Sequence, residues 1–87
     1  MDRIVGIGAM ATSRDPDDVI ITYSLGSCIG LVLYDPVARV GGMVHTMLPL
    51  SKMEPDKARV KPEMFTDTGT MKLLQKVLDM GAKKSRL

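Results

Sequence analysis

One cysteine and one histidine, Cys28 and His45, are the side chains in this 87-residue sequence best suited to nucleophilic chemistry. Cys28 follows Ser24-Leu25-Gly26-Ser27, a bend in which the backbone N–H groups of Gly26 and Ser27 can converge on one point. Such a cradle would steady a thiolate and the oxyanion of an acyl-transfer intermediate. An imidazole within hydrogen-bond reach would take the thiol proton and later return it to a leaving amine. A third group is needed to hold the imidazole in one tautomer, and the hydroxyl of Thr22, just ahead of the bend, is the candidate. Thr46 is the poorer choice, because successive side chains of a strand alternate and it points away from His45.

Each of these residues also has a plain structural reading. Free cysteine is among the most buried residue types and behaves as a small hydrophobe, so spacing alone favours an inert Cys28. His45, beside Val44 and Met47, could be a half-buried histidine with a satisfied N–H, and Thr22 suits a strand by β propensity. A metal site is disfavoured, since one Cys and one His leave a tetrahedral shell to carboxylates without ligand spacing. Gly6-Ile7-Gly8 lacks the rest of a dinucleotide-binding loop and no helix signal follows it, so no cofactor is expected.

The elements that must position this pair read as short strands followed by one helix. β-Branched residues predict a strand over 3–7, after which Gly8 and Ala-Met-Ala turn the chain away. Residues 13–18 gather Ser, Asp and Pro in a loop. Val19–Tyr23, a continuous apolar run, predicts a strand buried on both faces. Beyond the bend, residues 29–34 read as a strand, and Asp35-Pro36 as the turn of a hairpin whose return strand covers 40–49 and carries His45. Gly41 and Gly42 in that strand permit a bulge or a close backbone approach. Residues 50–62 lack periodicity and predict a mobile surface loop. Thr66 or Asp67 can cap a helix whose apolar face is Met71, Leu74 and Leu78, joined by Leu73, Val77 and Met80, with Gly81 just past its end.

Composition bounds the rest. Charged residues are 25% and hydrophobic ones 45% of the chain, an ordinary globular balance, and 87 residues make one small domain with a thin stability margin. The 8 methionines, with no Trp and 1 Phe, read as core filler. A net charge of +2 gives no footprint for nucleic acid, and Lys83, Lys84 and Arg86 read as a solvated end. A single cysteine, no secretory leader and no run of about 20 apolar residues point to the cytoplasm without membrane insertion.

The order of motifs adds a family resemblance. Gly6-Ile7-Gly8, Thr22 ahead of Leu25-Gly26-Ser27-Cys28, Tyr34-Asp35-Pro36-Val37-Ala38, and Gly41-Gly42-Met43-Val44-His45-Thr46-Met47-Leu48-Pro49 together resemble the chemoreceptor glutamine deamidases of the CheD family. The resemblance extends to Met80-Gly81-Ala82 and implies an α+β fold, a mixed β-sheet sandwich with helices packed outside, of which residues 1–87 are the N-terminal part of a single domain. By it Cys28 is the nucleophile, His45 the general base and acid, and Thr22 the orienting hydroxyl. It implies conversion of glutamine side chains on chemoreceptor cytoplasmic helices to glutamate with release of ammonia, and a CheC-type phosphatase as partner. Family members continue well beyond Gly81, so this chain reads as C-terminally truncated, with a sheet edge and apolar surface uncovered.

A second class of reading is a non-catalytic module that docks on receptor helices or the phosphatase. The two readings diverge at the thiol. An activated Cys28 is expected to react with an alkylating reagent near neutral pH at least ~10-fold faster than an ordinary free cysteine, whereas a buried structural thiol reacts more slowly than one. Mass spectrometry of timed alkylation separates them.

Overall fold

A computed structural model describes residues 1–23, 26 and 28–87. Five strands and two helices are described: β1 (Asp2–Ile4), β2 (Met10–Ser13), β3 (Val19–Ile21), β4 (Ile29–Asp35), β5 (Val40–Thr46), α1 (Pro55–Val60) and α2 (Thr66–Asp79). β1 and β3 form a parallel two-stranded ribbon, and β2, β5 and β4 form an antiparallel sheet with β5 at its centre. This is the expected α+β arrangement of sheets with helices outside.

The hairpin forms where its turn chemistry predicts. Asp35 accepts from the N–H groups of Val37 and Ala38 through its carboxylate, and from Arg39 N–H through its carbonyl, closing the turn locally. β4 and β5 then pair over seven residues, from Asp35 opposite Val40 to Ile29 opposite Thr46. Period-two alternation sends Gly42, Val44 and Thr46 toward α2, and Gly41, Met43 and His45 to the other face.

The core lies between sheet and helix, where Val40 and Val44 meet Leu73, Val77 and Ala82. Burying each such aliphatic side chain contributes about 1.5–3 kcal/mol. Gly42 is the point of closest approach: a Cβ there would stand 2.7 Å from Leu73 Cδ1 and 2.8 Å from Thr12 Cγ2. α2 ends as expected, with Gly81 at φ 110 in the left-handed region that suits a residue past the last turn.

Several expectations fail for reasons the packing supplies. Strand β1 is shorter than 3–7; the chain turns away from the β1–β3 ribbon at Gly8 as expected, but Met10–Ser13 then pairs with β5 as β2, an edge strand of half-buried residues with little periodicity to announce it. Residues 19–23 are not buried on both faces, since their strand stops at Ile21, lies in a two-stranded ribbon and leaves Val19 51% exposed. β5 stops at Thr46 rather than 49; beyond it Met47 and Leu48 donate to Met64 O, and Leu48 bridges Phe65. Residues 50–62 are an ordered set of turns, with 3₁₀ segments at Ser51–Met53 and Pro62–Met64 flanking α1.

In α2 neither Thr66 nor Asp67 occupies the cap, which falls to Phe65 without a side-chain bond; Asp67 instead accepts from the backbone and hydroxyl of Ser51. That contact ties the preceding turns to the helix, and the Ser51 hydroxyl bond leads the interactions that lower the Asp67 pKa. The buried stripe is Gly69, Leu73 and Val77, while Met71 is 64% exposed. Nor do the methionines fill the core: Met10 and Met80 pack against its margin, and Met1, Met47, Met53 and Met71 are exposed.

The basic terminus is a solvated end only in part: Lys83 and Lys84 are exposed, but Arg86 is held. Arg86 Nε donates to both carboxylate oxygens of fully buried Asp35, at 2.8 and 3.0 Å, and Lys83 N–H donates to the same group at 2.8 Å. The Arg86 bond, helped by the backbone donors, holds the Asp35 carboxyl far below the usual carboxylate range.

A lowered folded-state pKa stabilises the fold above the unfolded value of about 3.9, and this stability is lost as pH falls below it. The urea midpoint is therefore expected to drop between pH 5 and pH 3, and Asp35→Asn to flatten that dependence while lowering the midpoint at neutral pH. Gly42→Ala should cost about 1–3 kcal/mol by overpacking, read from the same denaturation curves.

Candidate active site

His45 sits in the most enclosed strand of the molecule. Its N–H donates to Ala9 O at 3.1 Å and its carbonyl accepts from Gly8 N–H at 2.7 Å, so two residues just ahead of β2 face one residue of β5 as in a bulge, while Gly30 stands opposite on β4. The backbone is thus held from both sides. The side chain is only 1% exposed. A buried imidazole needs protein partners in place of water.

Thr22 supplies one of them. Its Oγ1 lies 2.9 Å from His45 Nδ1 and 2.6 Å from the carbonyl oxygen of Val5. Thr22 follows β3 directly and Val5 follows β1, and the bond from Val5 N–H to Ile21 O at 2.7 Å carries the ribbon up to this point. The other ring nitrogen, Nε2, is buried and has no hydrogen-bond partner among the described residues. Thr46, on the opposite face, is engaged elsewhere, 2.9 Å from the Thr66 hydroxyl.

Cys28 is a free, half-buried thiol immediately ahead of β4. Gly30 is paired with His45, so counting back two residues carries Cys28 toward the His45 face of the sheet. Residues in that diagonal relation lie roughly 7–8 Å apart, and Cys28 makes no hydrogen bond to His45 Nε2. Gly26, proposed from the sequence as backbone support, is exposed with φ 48, in the left-handed region. Ser27, its companion, lies outside the described residues.

The structure therefore brings Thr22 and His45 together and puts Cys28 at the start of the neighbouring strand. What sequence reasoning missed is the Val5 carbonyl, a backbone acceptor that no residue type advertises. A cavity of about 380 Å³ lies elsewhere, toward the turn end of the β4–β5 hairpin, lined among others by Asp15, Ile20, Val32, Tyr34, Arg39 and Met43, and it includes none of the three candidate side chains. Among the described residues there is no cluster of His, Cys, Asp and Glu arranged to hold a metal, and no helix is long and apolar enough to cross a membrane.

No family model matches the chain. Curated relatives do. The chain is 49% identical over 84 residues to the probable chemoreceptor glutamine deamidase CheD of Solibacter usitatus, which aligns with 97% of this chain and 50% of that protein. It is 43% identical over 86 residues to the probable chemoreceptor glutamine deamidase CheD 1 of Syntrophus aciditrophicus, covering 99% of this chain and 54% of the relative. The chemoreceptor glutamine deamidase CheD of Thermotoga maritima is 42% identical over all 87 residues, 52% of its own length. The chain spans about half the length of the curated relatives it matches.

Proposed function

The chain belongs to the CheD family, and from that premise we propose that it carries the reacting residues of a protein-glutamine deamidase acting on chemoreceptors. The observation that carries the proposal is His45: a buried imidazole with Nδ1 against Thr22 and Nε2 left without a partner among the described residues, on the strand paired with β4, which Cys28 immediately precedes. A core histidine kept only for packing would be expected to bond through both nitrogens or to reach water. One nitrogen held and the other free is the arrangement a general base needs.

In this reading His45 Nε2 takes the Cys28 thiol proton, and the thiolate attacks the side-chain carboxamide carbon of a receptor glutamine. The tetrahedral intermediate collapses as the imidazolium protonates the departing nitrogen, releasing ammonia and leaving a thioester on Cys28. Water, deprotonated by His45, then attacks the thioester and gives glutamate and free thiol. Backbone N–H groups ahead of Cys28 would stabilise the developing oxyanion, and Gly26, at φ 48, suits a tight turn there. No metal or cofactor is required for these steps.

The product carries one more negative charge than the substrate at each modified position. On packed receptor helices such charges repel and shift the balance between packing states, which gives the reaction a regulatory outcome. Substrate helices of this kind imply a cytoplasmic enzyme, and the family resemblance adds a CheC-type phosphatase as a second partner. Residues 1–87 are read as the N-terminal part of one such domain.

In full-length protein carrying this sequence, Cys28→Ala and His45→Ala are each expected to lower ammonia release from a receptor cytoplasmic domain by ~10³-fold or more. Wild-type rates in the Cys28→Ala protein would remove the nucleophile and the proposal with it.

A further inference from the structure

We propose that the backbone carbonyl of Val5 selects the tautomer of His45, acting through the Thr22 hydroxyl. Thr22 Oγ1 has two close partners, Val5 O at 2.6 Å and His45 Nδ1 at 2.9 Å, and only one proton to give. A carbonyl oxygen can accept but never donate. The hydroxyl proton therefore goes to Val5 O, because without it two oxygens would meet lone pair to lone pair at 2.6 Å. The second contact must then be filled from the ring, with Nδ1–H donating to Thr22 Oγ1. A neutral imidazole has one N–H, so Nε2 is left bare.

That bare nitrogen is the one buried without a partner among the described residues, and it is the form that can accept a thiol proton. Were Val5 O not there, Thr22 could equally donate to Nδ1, and Nε2 would carry the hydrogen and be useless as a base. The carbonyl is well held for this task. Val5 is 2% exposed, and its own N–H is fixed to Ile21 O, the residue just before Thr22. One parallel pairing thus sets both ends of the relay, which gives the short β1–β3 ribbon a purpose beyond packing. Thr22 and Val5 are positioning residues, since they act through His45.

The tautomer itself is a property of the folded protein; only its consequence for catalysis rests on the deamidase reading. It is measured by ¹⁵N NMR of histidine-labelled Cys28→Ala protein above the histidine titration, where no thiol can share the proton. The expected spectrum has a protonated Nδ1 and a bare Nε2. Thr22→Ser should preserve it, and Thr22→Val should lose it and move the Val5 carbonyl ¹³C resonance as its hydrogen bond disappears.

With Cys28 intact, Thr22→Val is expected to slow ammonia release about 10²-fold, the scale of a lost general base, with Thr22→Ser restoring most of it. A protonated Nε2 in the Cys28→Ala protein overturns the inference, as does an unchanged tautomer and Val5 resonance in Thr22→Val. Should Thr22→Val fail to fold, the Cys28→Ala spectrum alone decides. The expected tautomer in a protein that never releases ammonia would uphold the inference and end the deamidase reading.

Discussion

β5 is hydrogen-bonded along both edges, covered on one face by α2 and on the other at its His45 end, and the rest of the molecule is arranged around that enclosure. On one face Val44 and Thr46 pack under α2, close enough that Gly42 tolerates no side chain. On the other, the ends of β1 and β3 bring Val5 and Thr22 over His45. Polar side chains in such a strand have no water to fall back on, so each must find a protein partner or stay costly. Thr46 finds Thr66. His45 finds Thr22 on one side only, and that asymmetry is where chemistry becomes possible.

A second buried polar group shows the opposite solution. Asp35 is as deeply buried as His45, yet its carboxylate accepts from Val37, Ala38 and Lys83 N–H groups and from the Arg86 guanidinium. Every lone pair is occupied, so the group is a fastener joining the hairpin turn to the basic residues of 83–86. A satisfied buried charge gives specificity of register more than net stability, and removing either partner leaves the other stranded. The contrast separates the two groups: one carboxylate is saturated, while the imidazole keeps one nitrogen without a partner among the described residues.

Precision at the site comes from backbone more than from side-chain packing. His45 is pinned by Gly8, Ala9 and Gly30, and Thr22 by the ribbon pairing through Val5 and Ile21. Catalytic geometry has to hold within a fraction of an ångström, and sheet ladders supply that where long side chains cannot. The exposed Val32 and Tyr34 share the His45 face of the sheet, so an apolar surface adjoins the pair without being part of it.

What the sequence determined by itself is local or carried by residue type. Asp35-Pro36 announces the hairpin because proline and an acceptor carboxylate act within four residues, and Gly81 ends α2 because a left-handed residue is needed there. Thr22 was legible as the partner of His45, because the strand alternation told it from Thr46. Tertiary structure alone decided the rest. Strand β2 exists because β5 offers it an edge, the turns of 50–62 are ordered through Asp67, and Arg86 folds back on the chain because Asp35 is buried beneath it. The direction of the proton at Thr22 belongs here too: it depends on a carbonyl 17 residues away, and a backbone acceptor is the same atom in every residue, so no sequence pattern can mark it.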